Sequence, residues 1–128
     1  MHVLIIEDRY DSTSGLSDFL ETKGHIVDTA GSGISCRHLA LVGQYDAIVL
    51  NVLLPETDGI GLCRKLREEE CNATPILMIS LRDSLEEKIA CMEAGADDYL
   101  AQPVTLSEFE SRLRVLFRLS SRAKASVN

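Results

Sequence analysis

Three short runs of this chain are almost continuously apolar: Val3-Leu4-Ile5-Ile6, Ala47-Ile48-Val49-Leu50 and Pro75-Ile76-Leu77-Met78-Ile79. Runs of this length without polar alternation suit strands covered on both faces, as in a parallel sheet. Two weaker runs, His25-Ile26-Val27-Asp28-Thr29 and Asp98-Tyr99-Leu100, bring the expected strands to five. Between them lie stretches with helical spacing. Leu16, Phe19 and Leu20 make one stripe, Ile60, Cys63 and Leu66 another, and Phe109, Leu113, Leu116 and Phe117 the last. Strict alternation of this kind predicts an α/β, flavodoxin-like doubly wound (βα)5 fold with a five-stranded parallel sheet. A functional site is then expected at the carboxyl ends of the strands, where ligands meet open sheets.

Local signals mark the helix ends. Asp11, Ser12 and Ser14 offer caps for the first helix, and Lys23-Gly24 closes it with a cation and a glycine. Asp83-Ser84-Leu85-Glu86 can open the fourth helix and Ala94-Gly95 end it, while Thr105-Leu106-Ser107-Glu108 has capping-box spacing for the fifth. Residues 1–119 read as one domain, and the small polar stretch through 120–128 as a tail or the start of a linker.

With 128 residues, the chain is long enough for a single proper core. No apolar run approaches the roughly 20 residues that cross a bilayer, and the opening lacks a secretory signal, so no membrane partner and a cytoplasmic location are expected. A net charge of −7 disfavours nonspecific nucleic-acid binding by this segment itself. Contact with DNA would come only through a domain beyond residue 128. Cys36, Cys63, Cys71 and Cys91 form no CxxC pair and have no histidine at zinc-finger spacing, so they read as small core or helix-surface residues.

The polar residues at the expected strand ends should meet at one edge: Glu7 and Asp8 after the first strand, Asn51 after the third, Ser80 after the fourth, and Gln102-Pro103 after the fifth. The carriers of a family likeness are the opening Val-Leu-Ile-Ile-Glu-Asp, the Asn51…Pro55…Asp58-Gly59 loop, Ile79-Ser80, and Ala94-Gly95-Ala96-Asp97-Asp98-Tyr99-Leu100 running into Pro103. Together they make the chain resemble a CheY-like response-regulator receiver domain over Met1 to about Leu119, closest to the receivers of OmpR/PhoB-type transcription factors.

The resemblance implies a role for each strand-end residue. Glu7 and Asp8 match the acidic pair that holds magnesium, Asn51 the phosphoacceptor aspartate, Ser80 the hydroxyl that binds the phosphoryl group, Gln102 the charge-neutralising lysine, and Tyr99 the switch aromatic. Asn51 and Gln102 depart from that chemistry in the same direction. An asparagine amide is neutral, a poor nucleophile and a weaker ligand for a hard cation. A glutamine supplies no cation for the charge that gathers on a transferring phosphoryl group. Leu81, where the family places a small residue, is expected to narrow access. The site therefore reads as a degenerate phosphoacceptor that requires no cofactor and holds magnesium weakly at most, in a chain that is not an enzyme. Glu7 and Asp8 are equally suited to cap the first helix, an alternative the sequence leaves open.

With the chemistry removed, the expected working surface is a homodimer face on the fourth helix, fifth strand and fifth helix. Its charged members are Lys88, Glu93, Asp97, Asp98, Glu108, Arg112 and Arg118, around an apolar centre of Ile89 and Met92. Glu110 is out of place near such a patch. The function implied is two-component signalling without phosphorylation, controlling transcription through an attached DNA-binding domain. The alternatives are an adaptor receiver that docks a sensor kinase or another regulator, and an active phosphoacceptor that uses Asp8 or Asp58 instead.

Overall fold

The computed structural model describes residues 1–6, 14–54, 58–70 and 72–126. Five strands and five helices alternate: β1 (His2–Ile6), α1 (Ser14–Thr22), β2 (Ile26–Ala30), α2 (Gly33–Val42), β3 (Ala47–Asn51), α3 (Gly59–Glu68), β4 (Ile76–Ser80), α4 (Leu85–Glu93), β5 (Asp98–Ala101) and α5 (Leu106–Ser126). The sheet is parallel throughout, in the order β2-β1-β3-β4-β5. This is the flavodoxin-like order, in which the chain reverses direction of travel between β1 and β3.

Strand side chains alternate between two apolar layers. Leu4, Ile6, Ile48, Leu50, Ile76, Met78 and Tyr99 face α2, α3 and α4. Val3, Ile5, Ala47, Val49, Leu77, Ile79 and Leu100 face α1 and α5. Double coverage is why β3 and β4 are buried along their whole length and carry no polar alternation. The edge strand β2 is partly exposed, which accounts for its mixed composition.

The stripes pack as their spacing predicts, with one exception. Phe109, Leu113 and Leu116 are buried on α5, but Phe117 is 38 % exposed. It lies about 100° round the helix from Leu116, beyond a stripe already filled by its neighbours. β2 starts at Ile26 rather than His25, because the His25 N–H still donates to the Leu20 carbonyl of α1 at 3.1 Å; its ring meets Glu110 at 3.0 Å. Gly24 closes α1 with φ 88°, a conformation that favours glycine. Cys36, Cys63 and Cys91 are buried core residues. Burial pushes the Cys36 thiol up to about 12 and those of Cys63 and Cys91 to about 11, so none is a ready nucleophile. Cys71 lies outside the described residues.

Candidate functional site

The ends of β3, β4 and β5 converge at the carboxyl edge of the sheet. Asn51 pairs in register with Ile79, and Ser80 with Ala101. The Val52 N–H donates to the Ile79 carbonyl at 2.9 Å and the Gln102 N–H to that of Ser80 at 2.7 Å. These ladder bonds bring Asn51, Ser80 and Gln102 to one edge, as expected from strand order. Asn51 and Ser80 are buried, and Gln102 is half-buried before the cis peptide to Pro103.

The β3–α3 loop folds back against the site. Leu53 bridges Asp58, and the Gly59 N–H donates to the Val52 carbonyl at 2.9 Å. A Cβ on Gly59 would stand 1.9 Å from the Asn51 carbonyl oxygen, so the return path requires glycine there. Asp58 is the N-cap of α3, its Oδ1 accepting the Ile60 N–H at 3.0 Å. Asp58 thus has a structural role as a helix cap.

Glu7 and Asp8 lie outside the described residues. Among the described residues, no group of three or more His, Cys, Asp or Glu side chains is placed to hold a metal ion. At the strand ends themselves, Asn51, Ser80 and Gln102 offer no carboxylate. An open cleft of about 210 Å³ adjoins the site, lined by Leu16, Ile79, Gln102, Pro103 and Val104. It is smaller than the roughly 300 Å³ at which ligand pockets begin. Leu81 is 69 % exposed and stands out in solvent, so it does not close over the site as its size suggested.

Ser80 and Tyr99 meet through a residue that the sequence reading missed. Ser80 Oγ donates to Glu87 Oε1 and accepts the Arg82 N–H at 3.0 Å. The Tyr99 hydroxyl lies 2.9 Å from the same Glu87 oxygen and within hydrogen-bond distance of the Arg82 carbonyl. Tyr99 is buried, facing α4. Burial pushes its hydroxyl above the ordinary value; the Ser80 bond opposes that rise, the Glu87 bond reinforces it, and the Ser84 backbone opposes it again. The spacing Ser84-Leu85-Glu86-Glu87 marks Glu87 as the third helical position, but it points to the Ser84 N–H and not to the contacts with Ser80 and Tyr99.

On the neighbouring face, Ile89 and Met92 are 48 % and 41 % exposed, so neither turns into the core. Leu85 extends their row by one helical turn and is more exposed still. Lys88, Glu93, Glu108, Arg112 and Arg118 are exposed around them. Arg112 bonds Asp98 at 3.2 Å and approaches Glu108 at 3.7 Å. Asp97 departs from the expected arrangement. Its Oδ2 takes Arg67 Nη2 and the Ile76 N–H, both at 2.8 Å, and is thus committed to α3 and β4 within the chain. Glu110 also turns away from the face, to His25 at 3.0 Å and Arg114 at 3.4 Å.

The sequence matches the family described as response regulator receiver domain over residues 3–114. It is 40% identical over 121 residues to the transcriptional regulatory protein TcrA of Mycobacterium tuberculosis, covering 92% of this chain and 46% of TcrA. It is 36% identical over 118 residues to the transcriptional regulatory protein CusR of Escherichia coli, covering 92% of this chain and 52% of CusR. The chain thus spans about half the length of these curated relatives. Among solved structures, the receiver domain of the Francisella response regulator 1452 superposes with a TM-score of 0.85 at 30% identity, covering 93% of this chain and 98% of that one.

Proposed function

This chain belongs to the response regulator receiver family, and from that premise we propose that it signals without being phosphorylated at the family's usual position. The observation that carries the reading is the pair of neutral amides, Asn51 and Gln102, at the carboxyl edge. A nucleophile and a cation are both missing where phosphoryl transfer needs them. The relatives are transcriptional regulators about twice its length. Its output accordingly reaches DNA through a further domain, in the cytoplasm and without catalysis by this segment.

The dimer surface in this reading is the face of α4, β5 and α5. The exposed row Leu85, Ile89 and Met92 supplies its apolar centre, and Lys88, Glu93, Asp98, Glu108, Arg112 and Arg118 its charged surround. Asp97 contributes from inside the chain, by fixing where β5 begins. Charges around an apolar patch set register between twofold-related partners.

Sedimentation equilibrium without phosphodonor or metal tests the reading. A dimer is expected, unchanged by acetyl phosphate with magnesium and lost in Arg112→Glu. Reversal at Arg112 sets like charges against Asp98 and Glu108, so circular dichroism should accompany it to show the fold intact. A monomer at every concentration favours the adaptor, which docks a sensor kinase or another regulator through the same face. A phosphorylated species in the intact mass spectrum would sink the phosphate-free reading.

A further inference from the structure

Glu87 stands three residues beyond the N-cap Ser84, whose hydroxyl accepts the Glu87 N–H at 3.2 Å. In a capping box, the glutamate at this position sends its carboxylate back to the N–H of the cap residue. Here the carboxylate goes elsewhere. Its Oε1 receives the Ser80 hydroxyl from the end of β4 and lies 2.9 Å from the Tyr99 hydroxyl on β5. A single carboxylate oxygen thus joins the first turn of α4 to both strands beside the altered site.

We propose that Glu87 is a positioning residue that holds Tyr99 in its inward rotamer with no phosphoryl group present, and so sets the outer surface of α4. An ionised acceptor makes hydrogen bonds roughly twice as strong as neutral ones. Rotation of Tyr99 outward would take its hydroxyl, whose single proton is shared between that carboxylate and the Arg82 carbonyl, away from both acceptors, and its ring from the apolar layer shared with Cys91 and Ala94. The same helix turns Leu85, Ile89 and Met92 to solvent. Its inner anchor therefore decides where the exposed row stands. The link to association rests on the dimer face proposed above; the latch itself does not, because Tyr99 can be observed alone.

The test is 19F NMR of chain labelled with 3-fluorotyrosine. The sequence holds three tyrosines, and Tyr99→Phe identifies the resonance of interest. In Glu87→Ala, the outward population of Tyr99 should rise about tenfold, the size of effect expected for one lost hydrogen bond. The readout is a shift toward the free amino-acid position and a larger H2O/D2O solvent effect. Glu87→Gln keeps one acceptor oxygen but no charge, so its Tyr99 signal should move in the same direction by less. A Tyr99 resonance unmoved in folded Glu87→Ala overturns the proposal; should that variant not fold, an unmoved resonance in Glu87→Gln does so. Sedimentation equilibrium of the same variants reads the face separately. A displaced Tyr99 with unaltered association breaks the link to the interface, while a monomeric parent chain breaks the dimer reading and leaves the NMR result to judge the latch.

Discussion

The two ends of the sheet use polar residues in opposite ways. At the amino end, carboxylates are matched with fixed donors. Asp97 takes Arg67 and the Ile76 N–H, while Asp28 takes the His2 ring and the Tyr45 hydroxyl, each at 2.9 Å. At the carboxyl end, the strand ends bring together Asn51 and Gln102, both neutral amides. The chain has therefore not shed charge generally. It keeps ion pairs where they tie loops to the sheet, and lacks charge in the part of the site that the structure describes. The exception is Glu87, whose charge enters from α4 and is engaged by two hydroxyls.

The amino-end clamp offers the sharpest way to break this contrast. Arg67 donates through Nε to the Gly95 carbonyl at 2.9 Å and through Nη1 to the carbonyls of Asn72 and Thr74, both at 2.7 Å, besides its bond to Asp97. Arg67→Ala would strip donors from three carbonyls and a carboxylate in partly buried loops. At about 1–3 kcal/mol for each truly buried unsatisfied group, with some rewetting, the expected loss is about 3 kcal/mol. Lysine cannot reproduce the guanidinium fork, so Arg67→Lys should lose most of that as well. Urea unfolding decides: a loss below about 1 kcal/mol would make the clamp decorative.

The carboxyl end is tested by restoring what it lacks. Asn51→Asp supplies a nucleophile, yet Gln102 still leaves the phosphoryl charge without its cation. The single variant should remain poorly labelled by acetyl phosphate with magnesium. Asn51→Asp/Gln102→Lys should label about 10²-fold faster, equivalent to about 2.7 kcal/mol of barrier. Comparable labelling of the two variants would show that Gln102 is not a second lesion and would weaken the contrast between the ends.

Much of this was legible in the chain itself. The sheet followed from apolar runs whose lack of alternation has one simple cause, coverage on both sides. Asn51, Ser80 and Gln102 could be grouped because strand ends of a parallel sheet share an edge, and Ser84 and Thr105 announced helix starts by residue type and spacing. Arg67 and Glu87 could not be read in the same way. Each lies in a charged stretch, Arg64-Lys65-Leu66-Arg67 and Glu86-Glu87-Lys88, that looks like an ordinary solvated face. What each does depends on which distant strand ends and loops pack beside it. Glu110 shows the same limit: it looked misplaced on α5, yet its partner His25 lies 85 residues away.

The smallest expected effect concerns those long-range pairs. The His25 hydrogen bond, with help from Arg114, holds the Glu110 carboxyl below its ordinary value, and the Tyr45 and His2 bonds do so for Asp28. A carboxyl whose value is depressed by folding stabilises the native state above its unfolded value, near 4. That contribution disappears as pH falls through the folded value. Stability should therefore fall as pH drops from about 5 toward 3, and Glu110→Gln should flatten part of that fall. The part lost should be about 1 kcal/mol, the net worth of one hydrogen bond. Asp28→Asn should flatten a separate part, because its partners His2 and Tyr45 are not shared with Glu110, and distant pairs contribute additively. Urea midpoints at each pH for the two single variants and the double variant check this. An undiminished acid slope in the double variant would move the acid-sensitive carboxylates away from the amino-end pairs, and with them the claim that this end of the sheet is held by charge.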